Sequence, residues 1–112
     1  MEMRKAMEAR LQSILAELRR RFERLYGERL VKLVLYGSQA RGDAEPGSDI
    51  DVLVVLKGPV APFDEIDRTI EDVADISLQN DEVIACVFVS EDDYRQKGSP
   101  LMLNVRCEGV AV

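Results

Sequence analysis

Five consecutive apolar residues close the segment Asp49 to Leu56, DIDVLVVL, and that run restricts the fold more than anything else in the chain. A strand that is apolar at both parities has no face to offer to water, so it must lie inside a sheet with a covering layer on each side. Two further segments fit the same sheet. Leu30 to Tyr36, LVKLVLY, stops at Gly37, and Val83 to Val89, VIACVFV, follows a long polar stretch. Between the first two, Asp43 to Ser48, DAEPGS, has the residues of a turn.

The covering layers are helical. Met3, Met7, Leu11, Ile14, Leu18, Phe22 and Leu25 recur at spacings of three and four, an amphipathic stripe that Gly27 is placed to end. After a Gly/Pro loop, Lys57 to Pro62, helical spacing returns at Ile66, Ile70, Val73, Ala74 and Ser77, which predicts that this row faces the core. Ser90 before three acidic residues, and Ser99 before Pro100, have the pattern of helix starts. The order helix, strand, turn, strand, helix, strand, short helices predicts an α/β fold with a mixed sheet of three to four strands flanked by helices.

At 112 residues the chain fits one small soluble domain, with an N-terminal helix over 1–27, a core over 30–89 and short helices and tail over 90–112. No apolar run reaches the ~20 residues of a membrane span. Cys86 and Cys107 are too few for a stapled scaffold or a four-cysteine zinc site and suit a reducing cytoplasm. With no histidine, imidazole chemistry is excluded. Residues 1–32 carry nine Lys/Arg against five Glu, a balance of +4, so the net charge of −6 leaves −10 for the rest. An acidic body of that kind repels phosphate backbones and argues against direct nucleic-acid binding.

Candidate chemistry sits where the first strand ends. Gly37 lets backbone amides approach a phosphate, Ser38 offers a hydroxyl, and a helical turn starting there points its positive end the same way. Ten residues separate Ser38 from Asp49-Ile50-Asp51, which opens the second strand, so alternation is expected to project its two carboxylates to the same side. Mg²⁺ takes one or two carboxylates and fills its shell with water and phosphate oxygens, so the pair is suited to a nucleotide-bound metal. Arg41 is a candidate either for neutralising phosphate or for a structural link to the acidic strand.

The segment Leu33 to Leu56, LVLYGSQARGDAEPGSDIDVLVVL, resembles the signature of the nucleotidyltransferase superfamily that includes DNA polymerase β, and most closely its minimal single-domain members. The resemblance implies a polymerase β-like palm fold. It further implies that Gly37 and Ser38 hold a triphosphate, that Asp49 and Asp51 bind Mg²⁺ at the α-phosphate, and that Arg41 belongs to an Ala-Arg-Gly element beside them. Minimal members often act as antitoxins to HEPN-type ribonuclease toxins. The implied function is therefore transfer of AMP from Mg-ATP to a tyrosine of a HEPN toxin, in a complex with it. Two alternatives stay open, an inactive antitoxin that works by occlusion and a subunit acting on a small molecule such as an aminoglycoside. Fully equipped relatives carry a third acidic residue on the next strand, and Val83 to Val89 offers none. Asp81 and Glu82 stand just before it.

Overall fold

The computed structural model describes residues 2–45, 47–96 and 99–112, and side chains from Ala9 onward. Helix α1 (Glu2–Tyr26) passes through a single 3-10 turn, Gly27–Arg29, into strand β1 (Leu30–Tyr36). A one-turn helix α2 (Ser38–Arg41) precedes β2 (Ile50–Leu56), and α3 (Pro62–Asn80) crosses to β3 (Ile84–Ser90). Two short helices, α4 (Glu91–Arg95) and α5 (Pro100–Glu108), lead to β4 (Val110–Ala111). The sheet order is β3-β2-β1-β4, with β2 parallel to β3 and β1 antiparallel to both β2 and β4.

The expected mixed sheet is therefore present, with four strands, and β2 lies inside it with Val52 to Leu56 fully buried. Alternation along β2 feeds two cores. Val52, Val54 and Leu56 join Leu33, Leu35, Phe88, Leu18, Phe22 and Ile76 beneath α1 and α3. Leu53 and Val55 join Val34, Val87, Met102 and Val105 beneath α5. Ser90 and Ser99 cap α4 and α5, each side chain accepting from the backbone N–H three residues on. Pro46 of the expected turn and the side chains of Met3 and Met7 lie outside the described residues.

Two expectations about helix phase are corrected. In α1, Leu25 is exposed and Tyr26 ends the buried stripe, because Tyr26 continues the four-residue steps from Leu18 and Phe22 and its hydroxyl donates to Glu65 Oε1 at 2.7 Å. In α3, the row expected to face the core faces outward. Ile66, Ile70 and Ala74 are exposed, Val73 and Ser77 are half-buried, and Glu65, Thr69 and Ile76 point inward. Glu65 is tolerated there because Tyr26 and Arg29 satisfy its two oxygens, and Thr69 Oγ1 donates to the Glu65 carbonyl. The fourth strand also lies where the sequence gives no signal. Two residues after α5 pair with Val34 and Leu35.

Candidate active site

Antiparallel pairing sets Tyr36, the last residue of β1, opposite Asp51, the second of β2. The chain must leave the sheet at that level. It does so at Gly37, with φ +77° and ψ −158°, a region that residues with a Cβ essentially do not enter. A Cβ built on Gly37 would stand 2.5 Å from Asp51 Oδ2. Backbone conformation and direct contact with the carboxylate thus both demand glycine here. The elbow and the acid, fourteen positions apart in sequence, touch.

The turn of helix after the elbow is closed by the N–H groups of Ala40 and Arg41, both donating to the Gly37 carbonyl at 3.1 Å. The amides of Ser38 and Gln39, first in that turn, have no partner within it. Ser38 is half-buried, and among the described residues nothing engages its hydroxyl. Gln39 Nε2 reaches the Ser48 carbonyl at 3.4 Å, tying α2 to the chain just before Asp49.

Asp49 is exposed and precedes β2 rather than lying in it, so strand alternation alone does not place it beside Asp51. Its charge is nevertheless felt at Asp51. Burial first, and then the charge of Asp49, hold the Asp51 carboxyl above the ordinary carboxylate range. Tyr36, which the sequence reading passed over, is half-buried at the same level; burial and the Asp51 charge push its phenol up. Its position directly before the glycine was the available signal.

Arg41 does not point at the acidic pair. Its guanidinium binds both oxygens of Glu108, at 3.0 and 3.1 Å, and Asp43 at 3.2 Å, which links α2 to the end of α5. Of the two roles considered for it, the link is the one the structure displays, although to α5 rather than to β2.

The register of β2 and β3 sets Ala85 beside Asp51 on the same face of the sheet. That neighbouring position on the next strand therefore carries a methyl group. Glu82 turns to the other side, where it pairs with Arg10 at 3.2 Å and lines a cleft with Ile14 and Ile50 beneath α1. Asp81 is the exposed left-handed cap of α3. Among the described residues no third carboxylate, thiol or imidazole joins Asp49 and Asp51.

The model of the nucleotidyltransferase domain matches residues 15–97. This chain belongs to that family. Two proteins of Methanocaldococcus jannaschii, both named as inferred protein adenylyltransferases, are similar to it. One is 39% identical over 61 residues, covering 54% of this chain and 40% of that protein. The other is 36% identical over 72 residues, covering 64% and 66%. The chain thus spans less than two thirds of either relative. Among solved structures, a protein from Sulfolobus solfataricus named as an inferred nucleotidyltransferase superposes with TM-score 0.56 at 23% identity over 98% of this chain and 82% of that one. A MntA–HpeT toxin–antitoxin mutant gives 0.57 at 18% over 81% and 66%. A toxin–antitoxin structure with AMP-PNP gives 0.58 at 18% over 93% and 70%. At those identities the structures share the fold.

A nucleotidyltransferase uses a divalent metal and a nucleoside triphosphate, and the residues present fit both. Asp49 and Asp51 offer hard oxygen donors of the kind a divalent cation takes, and burial beside the Asp49 charge makes Asp51 hold its proton more tightly than usual, a penalty that a bound cation would relieve. The nearby guanidinium of Arg41 is already committed to Glu108 and Asp43. Gly37 puts no side chain of its own against Asp51.

Proposed function

We propose that this chain transfers AMP from Mg-ATP to a hydroxyl of a partner protein, a tyrosine of a HEPN-type toxin, and so silences it. The observation that carries the transfer chemistry is the contact at Gly37, where the Asp51 carboxylate stands directly against the backbone elbow with no side chain between them. Support for a protein acceptor comes from the names of the M. jannaschii relatives, and support for a toxin partner from the toxin–antitoxin structures of the same fold.

In this reading the Ser38 hydroxyl and the amides of Ser38 and Gln39 hold the triphosphate, while Asp49 and Asp51 hold Mg²⁺. The bound cation supplies charge neutralisation at the phosphates. The acceptor hydroxyl oxygen forms its bond to the α-phosphorus as the bond from that phosphorus to the α–β bridging oxygen breaks; pyrophosphate leaves and the hydroxyl proton passes to solvent. The residues contribute positioning and electrostatic stabilisation. Ala85 supplies no general base, help typically worth ~10²–10⁴-fold. A phenol, with pKa near 10, depends on such a base less than an aliphatic alcohol does. The added phosphodiester would set bulk and negative charge on the toxin, both adverse to RNA binding.

The test is intact-mass spectrometry of the protein encoded beside this one after incubation with the chain, ATP and Mg²⁺. A gain of AMP units that disappears with Asp49→Ala plus Asp51→Ala supports the proposal. A neutralised toxin of unchanged mass, protected equally by the double variant, overturns it. That second result would establish the occlusion reading, which the methyl group of Ala85 favours.

A further inference from the structure

Helix α3 exposes a continuous apolar row. Phe63, Ile66, Ile70, Ala74 and Leu78 follow one another at steps of three, four, four and four, so they lie along one side of the helix for ~22 Å. Phe63 is 82% exposed, Ile66 40%, Ile70 53% and Leu78 83%, and Ala74 is exposed as well. Single exposed apolar residues are ordinary; a row of five at helical spacing is a recognition pattern. The fold leaves this row wet while placing Glu65 and Thr69 in the core, an inversion of the usual preference.

One flank of the row is acidic. Asp67, Glu71 and Asp75 form the adjacent line at four-residue spacing, with Asp64 beside them. Arg21 pairs with Asp72 and Asp75. Among the described residues no cation pairs with Asp64, Asp67 or Glu71. A second copy of this chain fits poorly. Two α3 rows packed together would set carboxylates against carboxylates, and the basic helix α1 spends its apolar side on its own core.

We propose that the α3 row docks an amphipathic helix of the partner protein, with an apolar ridge seated on Phe63, Ile66, Ile70 and Leu78 and Lys or Arg residues facing Asp64, Asp67 and Glu71. The inference rests on the reading above in supposing a partner protein, and not on the transfer chemistry. Helix α3 covers the sheet face opposite the one that carries Asp51, so docking holds the partner without filling the nucleotide site.

The probe is a labelled 15-residue helical peptide with leucines at the spacing of the row and lysine flanks, titrated by fluorescence anisotropy against a twin with glutamate flanks. The wild-type chain should bind the lysine peptide at least about tenfold more tightly. Phe63→Ser plus Ile70→Ser should weaken that binding about tenfold with an unchanged thermal melt. Asp67→Lys plus Glu71→Lys should reverse the preference between the peptides. Absence of binding, or variants that bind as wild type does, would overturn the proposal. So would dimerisation of the chain abolished by Ile70→Ser, since a second copy would then own the surface. Peptide binding without AMP transfer in the mass experiment would sink only the earlier reading.

Discussion

Gly37 is held in place twice, by a φ of +77° that disfavours any side chain and by Asp51 Oδ2 standing where a Cβ would go. Gly37→Ala should therefore cost about 1–3 kcal/mol of stability, read from urea unfolding, and should abolish nucleotide binding by displacing the carboxylate. Asp51 makes a different prediction. Its folded pKa lies above the ordinary 3.8, so the folded state binds the proton more tightly than the unfolded one. Stability then falls as pH rises from the unfolded pKa through the folded one. Asp51→Asn, which mimics the neutral acid, should raise the melting temperature at pH 7 and leave it unchanged below about pH 3, while destroying activity. A variant no more stable than wild type at pH 7 contradicts this. Gly37, Ser38, Asp49 and Asp51, the proposed site residues, could be picked out of the sequence because chemistry of this kind is carried by short motifs at strand ends. Ala85 and Glu108 were not, because pairing register and the packing of α5 bring them to the site from distant parts of the chain.

Helix α3 shows where periodicity misleads. Its strongest apolar row predicts the buried face, yet the sheet and α1 take Glu65, Thr69 and Ile76 instead. What reverses the phase is the cluster at the start of the helix, where the Tyr26 hydroxyl reaches one oxygen of Glu65 at 2.7 Å and Arg29 the other at 3.1 Å. No pattern within residues 62–80 encodes those partners, which come from α1 and the turn after it. Tyr26→Phe removes the donor to a buried carboxylate oxygen, and should destabilise the fold by about 1–3 kcal/mol in urea unfolding. Glu65→Gln keeps hydrogen bonding but loses the charge that Arg29 and Arg68 meet, and should cost less than Tyr26→Phe. The opposite ranking would show that the ion pairs, rather than the tyrosine, set the helix phase.

Across the whole molecule, the sheet divides two tasks. One face, with Leu53, Val55 and the α5 core, ends at Asp51 and the glycine elbow; the other carries α1 and α3 and, on the outside of α3, the exposed apolar row with its acidic flank. The mixed sheet and the central place of β2 followed from its two-sided apolar pattern, whereas β4, two residues long, exists only because the chain after α5 meets the free edge of β1. A cation that binds the folded acids alone must also stabilise the molecule, by ~2.7 kcal/mol at a hundredfold excess over its Kd, so Mg²⁺ with an ATP analogue should raise the melting temperature of wild type and not of Asp49→Asn plus Asp51→Asn. The decisive measurement is calorimetric titration of a non-hydrolysable ATP analogue with and without Mg²⁺. The account predicts metal-dependent binding to the wild-type chain that weakens at least about tenfold, ~1.4 kcal/mol, in the double asparagine variant. Equal affinity in both proteins, or affinity indifferent to Mg²⁺, would contradict it.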